Sequence, residues 1–109
     1  MRIEMVGLGR YAGPATLILT SLASGPKHGY ALTKDVDSFS GVYLAPGTLY
    51  AALDRLVEHG LIEGLEVQGR RRPYRITAHG VAALRGQLEA QRMVAEVGLG
   101  RIAGSLALP

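Results

Sequence analysis

The sequence predicts a mainly α-helical protein carrying one small β-hairpin, on three observations. Apolar residues recur at three- and four-residue spacing in segments between Gly13 and His59, each bounded by glycine or proline. Tyr74 and Ile76 then alternate with Arg75 and Thr77, the period of a half-buried strand. Beyond Thr77 the helical spacing resumes through Val81, Leu84 and Leu88.

The first helix opens at Gly13-Pro14, where proline suits the first turn because its missing N–H would have no intrahelical partner. Ala15, Leu17, Ile18, Leu19, Leu22 and Ala23 make it apolar nearly all round, as in a helix buried against both a core and a partner. Ser24-Gly25-Pro26-Lys27 supplies the turn. The second helix spans His28 to Ser38, with Ala31, Leu32 and Val36 on one face and Lys34, Asp35 and Asp37 toward water. Phe39 to Leu44 forms a loop. The third helix starts at Pro46-Gly47-Thr48 and runs to His59, with Leu49, Leu53, Leu56 and Val57 as its inward stripe and Gly60 as its stop.

Leu61 to Val67 reads as a strand, Gln68 to Arg72 as a tip and Pro73 to Thr77 as the return strand. Thr77 then caps a final helix beginning near Ala78. Val81, Leu84, Leu88, Gln91 and Ala95 form a narrow seam suited to pairing with another helix. Gly98, Gly100 and Gly104 each weaken a helix by about 1 kcal/mol relative to alanine. The tail is therefore expected to kink or fray, although Leu99, Ile102 and Leu106 keep the spacing.

Three helices followed by a two-stranded wing describe a winged helix-turn-helix. The chain divides accordingly into an N-terminal segment (1–12), a winged helix-turn-helix domain (13–77) and a C-terminal dimerisation helix (78–109). The expected core is Leu17, Ile18, Leu22, Leu32, Val36, Leu49, Leu53, Leu56, Ile62 and Ile76. With 109 residues, of which 48% are hydrophobic and only 19% charged, the apolar surplus calls for a subunit interface. Leu17, Val81, Leu84, Leu88, Ala95 and Leu99 are the candidates for it.

The net charge of +3 favours a polyanionic partner weakly, but the clustering says more: three of the twelve Lys and Arg residues are consecutive, Arg70, Arg71 and Arg72. A helix followed at once by a hairpin with a cationic tip suits double-stranded DNA, the helix filling the major groove and the tip reaching a phosphate line. The absence of cysteine excludes disulfides, thiolate metal sites and cysteine nucleophiles. The opening MRIEMVGLGRYAGP is a poor signal peptide and no run approaches a membrane span, so the cytoplasm is the expected location.

Three stretches resemble one known family. KHGYALTKD (27–35) is similar to the HGY-type opening of the second helix in PadR-type transcriptional regulators, and APGTLYAALDRLVEHGLIE (45–63) to their PGTLY…L.RL…GLI signature. GRRRPYRIT, followed by Gly80, resembles their arginine-rich wing and return strand. The likeness covers roughly residues 14–88 and fits the short subfamily with a single C-terminal helix. It implies a homodimeric regulator, usually a repressor, that binds a palindromic operator and is released by an effector, whether a phenolic acid, a drug or an ion. Ala45 departs from the family's common serine, removing a hydroxyl that would cap the helix or touch phosphate. The lack of tryptophan means that an aromatic drug pocket of the kind some relatives build at the dimer interface is not implied.

Candidate DNA contacts follow from position. Thr48 and Tyr50 lie on the first turn of the third helix, opposite its leucine stripe; the plainer role for Tyr50 is packing, with its hydroxyl in water. Arg55 lies further along as a phosphate contact or a solvated arginine. Tyr30 and Lys34, four apart on the second helix, are placed to hold phosphate oxygens, unless Tyr30 packs on the first helix. Arg70, Arg71 and Arg72 gather charge that adjacent phosphates would relieve. His28, His59 and His79 have no ligand spacing, and no nucleophile elbow or dinucleotide motif is present, so no cofactor and no enzymatic activity are expected. The rival readings are a winged helix used as a protein-interaction module and a metal-responsive sensor.

Overall fold

The computed structural model describes residues 12–107. Among these residues four helices and a two-stranded sheet follow one another: α1 (Ala12–Leu22), α2 (Gly29–Ser40), α3 (Pro46–Glu58), β1 (Ile62–Gly64), β2 (Tyr74–Ile76) and α4 (Ala78–Ala107). The fold is the expected winged helix-turn-helix. The proposed N-terminal segment lies outside the described residues apart from Ala12, which opens α1.

One face of α1 supplies the centre of the core: Ala15, Ile18, Leu19 and Leu22 are at most 1% exposed, whereas Leu17 is only half-buried. Ser21 is also buried, and its hydroxyl donates to Asp35 Oδ2 at 2.6 Å, tying α1 to α2. The Lys27 ammonium donates to the Ser21 carbonyl and to Ser24 Oγ, placing a cation at the C-terminal end of α1.

Helix α2 begins one residue later than expected, because His28 is its N-cap, with Nδ1 facing the Ala31 N–H at 3.4 Å. Gly41 ends it in the left-handed conformation, φ 71°, its N–H donating to the Asp37 carbonyl. Helix α3 opens at Pro46 without a side-chain cap from Ala45. It ends in a Schellman pattern: the Gly60 N–H donates to Val57 and the Leu61 N–H to Leu56, each at 3.0 Å. The inward stripe is Leu49, Ala52, Leu53 and Leu56; Val57, expected inside, is 42% exposed.

The wing pairs Ile62 with Ile76, Glu63 with Arg75 and Gly64 with Tyr74. Arg75 reaches across to Glu63 with both Nε and Nη2. The strands are shorter than the expected 61–67 and 73–77. Leu61 belongs to the turn that closes α3, and at the other end the Leu65 N–H still donates to the Pro73 carbonyl at 2.8 Å. Pro73 has no N–H to return, so the regular ladder stops there. The Arg72 guanidinium satisfies the Leu65 carbonyl instead, at 2.8 Å. On its other edge Tyr74 exchanges two backbone hydrogen bonds with Lys27, which fastens the base of the wing to the start of α2.

Thr77 joins wing to helix. Its hydroxyl donates to the Gly60 carbonyl at 2.7 Å and accepts from the Gly80 N–H at 3.0 Å, the capping geometry expected. Helix α4 then runs unbroken for 30 residues, so Gly98, Gly100 and Gly104 do not interrupt it. The glycine costs are local, while each residue of a nucleated helix adds another backbone hydrogen bond. Only its first turns meet the core: Ala83 and Leu84 are buried, and no residue from Arg85 to Leu106 is. Leu84, expected at the subunit interface from spacing alone, packs in the core of its own chain. No described helix is long and apolar enough to cross a membrane.

Candidate nucleic-acid interface

The wing tip is a two-residue turn. Gln68 and Arg71 exchange both backbone hydrogen bonds, at 2.7 and 3.1 Å, and Gly69 takes the first central position with φ 63°. A type II′ hairpin turn needs glycine at that place. Arg70 is left at the apex, exposed, with no hydrogen bond or ion pair among the described residues.

The three consecutive arginines have three different settings. Arg72 folds back on its own hairpin: besides bonding the Leu65 carbonyl, its Cδ lies 3.0 Å from where a Cβ on Gly64 would sit. Arg71 reaches toward the body of the protein, its Nη1 standing 3.4 Å from His28 Nε2. Arg70 faces solvent.

Wing and helices enclose a cleft of about 250 Å³. His28, Gly29 and Tyr30 line it together with Tyr50, Tyr74 and all three wing arginines. The first turn of α3 and the cationic hairpin therefore share one concavity. Burial pushes the Tyr74 phenol above the usual tyrosine range; the Asp54 carboxylate adds to this, the Arg72 guanidinium opposes it and Tyr50 adds a smaller rise.

Among the sequence-predicted DNA contacts, Tyr30, Tyr50, Arg70, Arg71 and Arg72 thus come together. Tyr30 is 64% exposed, against the alternative that packed it on α1, and the Lys34 ammonium sits 5.5 Å from its ring centroid in a cation–π contact. Thr48 is exposed on the first turn of α3. Arg55 lies about 10 Å further along that helix, by the 1.5 Å rise per residue, and pairs with Glu58 at 3.3 Å. His28, Gly29 and Tyr74 were not among the expected contacts. The HGY triplet was the available signal for the first two, but what they touch is set by residues far along the chain. Among the described residues, no three His, Asp or Glu side chains are grouped to hold a metal ion.

The model of the transcriptional regulator PadR-like family matches residues 18–86. The chain belongs to the PadR-like family of transcriptional regulators. PadR-like proteins are regulators of transcription, and this chain carries that family's fold. An uncharacterised 37.1 kDa protein of transposon TN4556 from Streptomyces fradiae is 42% identical over 82 residues, covering 66% of this chain and 24% of that protein. Transcriptional regulator Rv3488 of Mycobacterium tuberculosis is 46% identical over 70 residues, covering 62% of this chain and 64% of that one. This PadR-like chain thus spans 24% of the first relative and just under two thirds (64%) of the second. A PadR family transcription regulator from Clostridium difficile R20291 superposes with a TM-score of 0.72 at 26% identity, over 81% of this chain and 96% of that structure.

Proposed function

We propose that this PadR-like regulator binds a pseudo-palindromic operator as a homodimer, represses transcription in the cytoplasm and is released by an effector. The observation that carries the reading is the shared cleft of Tyr50 and the wing arginines. A helix end and a cationic hairpin on one side suit a duplex, with α3 in the major groove and the wing on neighbouring phosphates. Thr48 and Tyr50 then meet bases or phosphates, while Tyr30, Lys34 and Arg55 hold the backbone.

The bare half of α4 supports pairing. Met93, Val94, Leu99, Ile102 and Leu106 are each more than half exposed in the single chain, apolar surface that a second copy would cover. Leu17, Val81, Leu88, Ala95 and Leu99 are assigned to that interface, which sets two recognition helices about 34–36 Å apart along the duplex. For the effector, a hollow of about 510 Å³ between α1, the loop before α3 and α4, lined by Leu17, Val42, Leu44 and Gln87, has the size of a small-molecule site.

The test is a footprint of the purified protein on the DNA upstream of its own gene, with binding titrated across salt. A symmetric protected site is expected, with affinity falling roughly 10³–10⁵-fold between about 50 and 200 mM salt if six to ten phosphates are neutralised. Salt-sensitive binding without a footprint would leave a general DNA coater. No duplex binding at all would leave the wing as a protein-docking hairpin.

A further inference from the structure

His28 faces two hydrogen-bond donors with one lone pair. Its Nδ1 lies 3.4 Å from the Ala31 N–H, which it must accept to cap α2. Its Nε2 lies 3.4 Å from Arg71 Nη1, a group that can only donate. A neutral imidazole accepts at one nitrogen and carries hydrogen on the other, so it cannot serve both. Both distances are longer than the usual N–H hydrogen bond of about 2.9–3.0 Å.

Each choice leaves a fault. If Nδ1 keeps the cap, Nε2–H and the guanidinium confront each other without an acceptor between them. If Nε2 accepts from Arg71, the first turn of α2 loses its cap. The surroundings offer no way out: the cleft is otherwise lined by Gly29, three tyrosines, Arg70 and Arg72, and carries no carboxylate among the described residues. Asp54, on α3, acts on Tyr74, and the neighbouring Lys27 ammonium is engaged at the end of α1. The missing acceptor has to come from outside: water can serve in the free protein, and beside a guanidinium an anion serves better.

We propose that one phosphodiester oxygen of the bound duplex accepts from both His28 Nε2–H and Arg71 Nη1, making His28 a phosphate ligand and fixing the tautomer that caps α2. This rests on the DNA-binding reading above and extends it. The phosphate replaces a donor–donor confrontation with two hydrogen bonds to a charged acceptor. It also leaves the Nδ1 lone pair to the Ala31 N–H, so the second helix gains its cap as the backbone is gripped. Phosphate capture and helix capping become one event at one ring.

Two substitutions separate the roles. His28→Asn keeps a short capping side chain but no donor at the Nε2 place, whereas His28→Gln keeps a donor there and loses the cap. Duplex titration by fluorescence anisotropy at fixed salt should show His28→Asn weakened roughly tenfold, the range for one hydrogen bond to a charged group. His28→Gln should stay within about threefold of wild type on the same scale. Imidazole ¹⁵N spectra of the wild type should move to the Nε2–H tautomer on adding duplex, and the Ala31 amide should gain protection from exchange. Asn binding as tightly as wild type, or a ring that is unchanged or doubly protonated on the duplex, would overturn the proposal. Inorganic phosphate alone giving the same ring state would replace the duplex with a free anion as the ligand. A wild-type protein that binds no duplex at any salt would instead strike down the DNA reading, and the phosphate ligand with it.

Discussion

A Cβ on Gly29 would stand 2.5 Å from the Tyr50 hydroxyl oxygen and 3.0 Å from its Cζ. Gly29 is buried and its φ is not positive, so this glycine supplies space rather than an unusual backbone. The missing side chain on α2 lets the phenol of α3 lie in the cleft. In Gly29→Ala the ring, 50% exposed, can swing outward without moving the backbone. The expected result is a change in unfolding free energy below about 1 kcal/mol with duplex affinity lowered about fivefold, the scale of one neutral hydrogen bond. In a Tyr50→Ala background the same change should have no further effect on affinity, a coupling that a double-mutant cycle measures.

The wing arginines should separate under single substitution. Arg72→Ala leaves the Leu65 carbonyl without the donor that Pro73 cannot provide. It should cost about 1 kcal/mol in urea unfolding as well as affinity. Arg70→Ala should leave unfolding unchanged within about 0.5 kcal/mol and lower the salt slope of binding by about 1. Replacing all three with alanine should weaken binding to every duplex and flatten the slope further. A slope unmoved by the triple change would take the wing out of the interface.

These contrasts mark where reading the sequence stops. The limits of α3 were legible because Pro46 and Gly60 are chemical punctuation: one fits only a first turn, and the other supplies φ 71° for the Schellman bonds. The strand lengths were not, because the donor missing at Pro73 matters only once its pairing with Leu65 is known. Periodicity equally left open which flank of the α3 stripe lies inside, and Ala52 takes the place expected for Val57. Leu84 and Leu88 share a seam by spacing, yet the core ends between them, at 6% and 38% exposure, and how far a core reaches is a tertiary fact. In the cleft, tyrosines and arginines announce themselves by type and position. His28 does not, since its partner Arg71 lies 43 residues away.

Tyr74 carries a pH dependence whose sign follows from its setting. Burial first, and Asp54 second, hold its phenol neutral above the ordinary tyrosine value of 10.0. A group whose folded-state value is raised contributes stability that is whole below the unfolded value and is lost as pH rises through the folded one. Wild type should therefore lose more stability between about pH 9 and pH 11 than Tyr74→Phe, which has no phenol to ionise. Urea unfolding of both proteins at the two pH values gives the comparison. Equal losses would mean that Tyr74 ionises in the fold as freely as in the unfolded chain.

Two glycines of α4 should respond to alanine with opposite signs. A Cβ on Gly80 would stand 2.0 Å from the Leu61 carbonyl oxygen and 2.8 Å from Ile76 Cγ1, one of them backbone in the turn that closes α3. Neither that carbonyl nor the Thr77 cap beside it can retreat without breaking the junction of wing and helix. Gly80→Ala should therefore destabilise by about 3 kcal/mol, at the upper end for overpacking. At Gly100 nothing lies within 4 Å of the added methyl, so alanine there contributes only its helix preference, a gain of roughly 0.5–1 kcal/mol. Thermal or urea unfolding reads both. A destabilised Gly100→Ala whose loss grows with protein concentration would place that position in close backbone contact with a second copy.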